Sequence, residues 1–311
     1  MPFSDTSATR DIRRFGYYIP KPDGTMDFVV HDRVASAEVL TEFHEISNAI
    51  FNLQPIIFAF DVVERNYREL VDSIEDHRTR LNDLGVANAL PISGAMDGIV
   101  LAVQKVSNFL SSASAFLAQT ETQLRRVHGT DSPELNIWND ERKNLHATCF
   151  SYRFLYELRN FAQHRSLPLS SFNIAGERAS ENAPMVFKTG ALLLRDGLLG
   201  DGYKWKKLRV EIQQQPPEFE LLPLIAEYLH SLRQLCLVAV QLQSARLAEC
   251  AHYLDTVRRV LQTPVGAVPV FFIGESSSKE KPPSRVEVFP MEQFEYLLRE
   301  YDRLFKSCKA K

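Results

Sequence analysis

Apolar residues recur at three- and four-residue intervals from Arg33 onward, and that spacing sorts most of the chain into long helices. ASAEVLTEFHEISNAIFNL carries the first run, Pro55 predicts a kink or break, and IIFAFDVVERNYRELVDSIEDHRTRLNDL carries the second. Beyond LPISG (Leu90 to Gly94) a third run over about 95–127, rich in Ala, Leu, Val and Phe, predicts a heavily buried helix ending at Gly129. TDSPELNIWNDERKNL opens a fourth helix, with Asp131 or Ser132 as N-cap, Pro133 at the first helical position and Glu134 in the first turn. Pro168 sets its stop. Helical periodicity returns from about 221 to 261, as one long helix or two shorter ones, and a last helix starts at Met291.

Between these runs the pattern turns to β-branched and aromatic pieces. FGYYI and TMDFVV flank PKPDG and predict an N-terminal hairpin or extended arm. SFNIAGE, APMVFKTGALLLRDG and WKKLRVEI predict a small hairpin insertion over about 169–212. GAVPVFFIG reads as a strand, ESSSKEKPPSR (Glu275 to Arg285) as a flexible loop and VEVF as a partner strand. The expected fold class is therefore mainly α: a bundle of long helices with a small β-hairpin insertion and a short C-terminal β/α appendage. Its expected division is an arm over 1–33, the bundle over 34–263 and the appendage over 264–311.

Composition narrows the functions. With 36 basic and 39 acidic residues and a net charge of -3, the chain offers no overall polycationic surface, so any nucleic-acid contact must be local. Cys149, Cys236, Cys250 and Cys308 form no Cys-x-x-Cys pair, and the histidines outside the motif described next show no metal-ligand spacing, so neither a metal nor another cofactor is expected. The first residues lack the apolar core of a signal peptide, no uncharged apolar run of about 18 residues follows, and a cytoplasmic protein with no membrane partner is expected. Asp61 and Glu64 share a helical run with Arg65 and Arg68 and read as surface ion pairs.

Chemistry concentrates in YELRNFAQHRSLP, residues 156–168. On a wheel of about 100° per residue with Leu158 at zero, Ser151, Phe154, Leu155, Phe161, Ala162 and Arg165 fall on the core side. Arg159, Gln163, Asn160 and His164 fall at roughly 100°, 140°, 200° and 240°, on the face turned away from the bundle. Cys149, Tyr152, Arg153 and Tyr156 are assigned to that same outward face, a mixture of aromatics and arginine that interfaces enrich. A solvated helix end, with the histidine beside the last carbonyls, also accounts for these residues.

RNFAQH, Arg159 to His164, resembles the motif of the HEPN superfamily: arginine, a polar residue that is usually asparagine, three further residues and a histidine, at the end of a long bundle helix. The resemblance implies a homodimer in which two motif helices meet and their Arg and His residues form a composite cleft. It also implies a metal-independent endoribonuclease, with RNA as substrate and a defence or toxin role, and leaves room for a regulatory protein partner. In the subgroup modified by a nucleotidyltransferase antitoxin, a tyrosine lies two residues beyond the histidine; here that residue is Ser166, so regulation by that route is not expected.

For such a reaction His164 supplies the general acid or base, since imidazole is the side chain that ordinarily titrates nearest neutrality. Arg159 holds the phosphate through a two-point guanidinium contact and Asn160 orients the imidazole or a phosphate oxygen. Gln163, Arg153 and Arg165 are the expected substrate contacts. KWKKLR (Lys204 to Arg209), with Tyr203 and Trp205, is the densest basic patch elsewhere and reads either as a base-stacking, phosphate-gripping segment or as an amphipathic strand. The alternative to an enzyme is a non-catalytic dimer of the same architecture that senses or scaffolds.

Overall fold

The N-terminal hairpin forms as the turn chemistry predicts. Strand β1 (Ile12–Pro20) pairs antiparallel with β2 (Met26–Val34), with Pro20 opposite Met26. Asp23 accepts from the Thr25 backbone N–H at 2.9 Å, and Gly24 takes the positive φ of +81° that a residue with a Cβ resists. The computed structural model describes residues 12–86, 92–178, 180, 186–274 and 285–309. Most of the expected loop Glu275 to Arg285, the start of APMVFKTGALLLRDG and the first two residues of LPISG lie outside them.

After β2 come the helices α1 (Ala37–Val86), α2 (Ile92–His128), α3 (Pro133–Thr148) and α4 (Phe150–His164). Strands β3 (Ser171–Glu177) and β4 (Val186–Leu194), short helices α5 (Arg195–Gly200) and α6 (Leu208–Gln213), and strand β5 (Glu218–Glu220) follow. Then come α7 (Leu221–Gln241), α8 (Ser244–Val260), β6 (Val268–Gly274), β7 (Arg285–Val288) and α9 (Met291–Lys309). The protein is mainly helical, with two small antiparallel sheets among the described residues, ordered β2-β1-β6-β7 and β3-β4-β5.

Contacts divide the chain into two compact units: the described parts of residues 1–54 with 240–302, and of 55–239 with 303–311. This differs from the arm, bundle and appendage expected along the chain. The reason is the sheet: β1 pairs with β6 over Ile12↔Gly274 to Tyr18↔Val268, so the N-terminal hairpin and the C-terminal strands form one surface. Gly16 permits it, because a Cβ there would lie 2.2 Å from the Val29 carbonyl oxygen and 2.4 Å from the Phe272 ring. In this unit Phe43 packs edge-on to Phe271 and Phe289 at 5.1 and 5.0 Å, closing an aromatic core over the sheet.

The second unit holds the motif. Along α2, Val106, Phe109, Leu110, Ala113, Phe116, Leu117, Thr120 and Leu124 are buried at three- and four-residue spacing, as the apolar pattern requires. Phe60 meets Phe116 at 5.5 Å, and Trp138 donates its Nε1–H to the Leu235 carbonyl at 3.2 Å. Ser132 caps α3, its Oγ accepting from the Leu135 N–H at 3.2 Å with Pro133 next in the chain.

Four expectations change. Of the kink or break expected at Pro55, the break does not occur, since α1 carries Pro55 inside it. The fourth run is two helices, because Cys149 takes an extended backbone (φ -108°, ψ 115°) between α3 and α4. WKKLRVEI is not a strand: Leu208 and Ile212, one turn apart, are buried on one side of α6. Glu64 is not a surface residue; it is 4% exposed and held by Arg233 at 2.8 Å and by Arg303, whose other nitrogen reaches Asp61 at 2.9 Å.

Among the described residues, two stretches, Ala37–Asp83 and Asp97–His128, are long and apolar enough by composition to cross a membrane. Buried core helices of soluble proteins meet the same test, and 44% and 39% of their most apolar windows are buried here.

Candidate active site

α4 is built to bury one side and present the other. Ser151, Phe154, Leu155, Leu158 and Phe161 are buried, and the helix ends where Arg165 leaves helical geometry (φ -136°, ψ -62°) while its N–H still reaches the Phe161 carbonyl. Gln163 and His164 are exposed, and Arg159 and Asn160 are half-buried; Arg165, expected on the core side, is exposed because the chain has already left the helix there. The outward face is narrower than the sequence suggests. Tyr152 is 2% exposed and packs edge-on to Tyr228 at 5.4 Å, so it belongs to the core. On the wheel it falls at about 120°, between Arg159 and Gln163, and it is covered only because Tyr228 of α7 packs on it from far along the chain.

Arg159 and Asn160 sit in a chain of hydrogen bonds that the sequence reading missed. The Tyr203 hydroxyl donates to one oxygen of Glu157, and Asn160 Nδ2 donates to the other at 3.3 Å. Arg159 Nη1 in turn donates to Asn160 Oδ1 at 3.3 Å. Burial, and then the hydrogen bond to Glu157, hold the Tyr203 phenol well above its ordinary range, so it remains a donor at neutral pH. Glu157 lies three residues before Asn160, a spacing that places the two on one helix face. Tyr203, expected as a base-stacking residue of the basic patch, carried no local sign of its bond to Glu157.

Two features leave chemistry available. Arg159 makes no ion pair among the described residues, and its Nε is buried without a hydrogen-bond partner. His164, one turn beyond Asn160 at the end of α4, is exposed and makes no side-chain hydrogen bond among the described residues. An unneutralised guanidinium whose position is fixed by neighbouring hydrogen bonds is suited to an oxyanion, and an open imidazole is suited to proton transfer.

Arg153 has a different role from the expected substrate contact. Its Nη1 donates to the His146 carbonyl at 2.6 Å, satisfying an end of α3, and its Nη2 meets Glu211 on α6 at 2.5 Å. The guanidinium ties three elements together. Close by, desolvation and then the Arg153 charge lower the pKa of His146.

The KWKKLR segment also divides. Trp205 is 2% exposed, stacks on Phe161 and Phe154 at 5.2 and 5.8 Å and donates to the Leu198 carbonyl at 2.8 Å, so it cannot stack bases. Lys206, at a left-handed φ of 53°, turns the chain from that burial into α6. Lys204, Lys206, Lys207 and Arg209 are exposed, and Tyr203 meets Phe161 edge-on at 5.4 Å, which joins this basic segment to the motif helix.

No group of three or more His, Cys, Asp or Glu side chains that could hold a metal ion occurs among the described residues. Comparison of the chain with protein-family models, curated proteins and solved structures finds no match.

Proposed function

We propose that the chain is a metal-independent endoribonuclease of the HEPN type, acting as a homodimer through α4 in a defence or toxin role. The observation that carries the reading is the presence, at one helix end, of a half-buried guanidinium without an ion-pair partner among the described residues, Arg159, and an exposed imidazole, His164. An ideal helix turns Arg159 and His164 about 140° apart, so a single copy presents them in different directions. A second α4 against the first brings the arginine of one and the histidine of the other to a common phosphate.

In this cleft the ribose 2'-oxygen attacks the adjacent phosphorus as its proton passes to a base. The P–O5' bond breaks, and the 5'-oxygen receives a proton, leaving a 2',3'-cyclic phosphate and a 5'-hydroxyl. His164 moves the proton and Arg159 stabilises the charged phosphorane. Asn160, anchored by Glu157, holds Arg159 in position, Gln163 and Arg165 flank the RNA, and Lys204, Lys206 and Lys207 attract its backbone.

The test compares purified wild-type and His164→Ala protein on mixed RNA in EDTA, with analysis of fragment termini. The reading expects cyclic phosphate ends from wild type alone. Cleavage that persists at the wild-type rate in His164→Ala sinks the assignment, and no cleavage by wild type supports the scaffold alternative.

A further inference from the structure

A cavity of about 230 Å³ opens within the unit formed by residues 1–54 and 240–302, and it shares no residue with the α4 site. Its apolar wall includes Phe15, Val257 and Leu261, each less than a tenth exposed. Its volume is below the roughly 300–1,000 Å³ of pockets for drug-sized ligands, so its occupant is small.

The polar residues around that wall are Arg33, Glu42 and Tyr253, with His252 and Thr256 beside them. Tyr253 is 9% exposed, and its hydroxyl is buried with no hydrogen-bond partner among the described residues. Buried hydroxyls are rarely left in this state, because they have given up water without replacing it. Burial, and behind it the charge of Glu42, hold the Tyr253 phenol above its ordinary range, so it stands ready to donate. Arg33 stacks its guanidinium over the Phe15 ring at 5.6 Å and makes no ion pair among the described residues. Glu42, also on the wall, makes none either.

We infer that this cavity is a binding site for a free apolar amino acid, whose carboxylate meets Arg33 and the Tyr253 hydroxyl, whose ammonium meets Glu42 and whose side chain covers Phe15, Val257 and Leu261. The charges select the class. Arg33 and Glu42 stand at the exposed rim, so a simple carboxylate brings a second negative charge beside Glu42, an amine brings a second positive charge beside Arg33 and leaves the buried Tyr253 hydroxyl without an acceptor, and a zwitterion answers all three.

Calorimetric titration of the full chain with L-leucine and L-phenylalanine, beside phenylacetate and phenethylamine, tests this. Saturable binding of at least one amino acid is expected, with each of the two truncated analogues at least tenfold weaker than L-phenylalanine where that is the amino acid that binds. Tyr253→Phe, which keeps the ring, and Arg33→Gln at the exposed rim should each weaken amino-acid binding about tenfold while circular dichroism stays unchanged. Failure of both amino acids to bind, affinity unchanged in both variants, or phenylacetate binding as tightly as phenylalanine overturns the inference.

Discussion

Replacing Trp205 by alanine separates a structural role from an RNA-binding one. The indole is 2% exposed, lies between Phe154 and Phe161, and gives its N–H to the Leu198 carbonyl. Truncating a buried aromatic of this kind costs about 3–5 kcal/mol, from lost burial and an unfilled cavity. Urea unfolding followed by far-ultraviolet circular dichroism measures it: with a denaturant slope of roughly 2 kcal/mol/M, the midpoint of the affected transition falls by about 1.5–2.5 M. Trp205→Phe keeps most of the apolar body but orphans the carbonyl, which costs about 1–3 kcal/mol. The measurement has a clear contrary result. An unchanged midpoint in Trp205→Ala means the indole faces outward, where it could stack on bases, and the packing described under α4 is wrong.

Three further predictions concern the scaffold. Desolvation raises the Glu64 pKa, but the stronger combined pull of Arg233 and Arg303 leaves it below its ordinary value, so the ionised carboxylate favours the folded state. That contribution is complete above the unfolded value of about 4.3 and is lost as pH falls through the lower folded value; thermal melts of Glu64→Gln should therefore show a weaker loss of stability on acidification than wild type. Ser132→Ala removes the cap of α3 and should cost about 1 kcal/mol by urea unfolding; a change below a few tenths would mean the cap is idle. Gly16→Ala drives a methyl into Val29 and Phe272, and should cost about 1–3 kcal/mol or prevent folding, read from soluble yield and melting temperature.

Much of this was legible where one residue type admits one local conformation. Ser132-Pro133 announced the start of α3, Pro20 to Gly24 the hairpin turn, and the apolar period of α2 its burial. The helix end carrying Arg159, Asn160 and His164 was also readable, since Pro168 forbids continuation. Other features depend on distant partners. Nothing near Cys149 carries a Pro or Gly to mark the break, which Arg153 supports from across the turn through the His146 carbonyl. Glu64 looked like a surface carboxylate because its arginines, 233 and 303, lie far along the chain. WKKLRVEI alternates enough to resemble a strand, although Leu208 and Ile212 already held the helical spacing that prevails. Tyr203 reaches Glu157 only through tertiary packing, so the support for Asn160 and Arg159 had no sequence trace.

The most direct measurement of the proposed activity is single-turnover cleavage of an oligoribonucleotide in EDTA, beside a copy bearing 2'-deoxyribose throughout. The proposal predicts scission of the ribose strand, none of the deoxy strand, and loss of scission in both Arg159→Ala and His164→Ala proteins that still fold and dimerise. Equal cleavage of the two strands removes the 2'-oxygen from the mechanism. Full activity in His164→Ala removes the site.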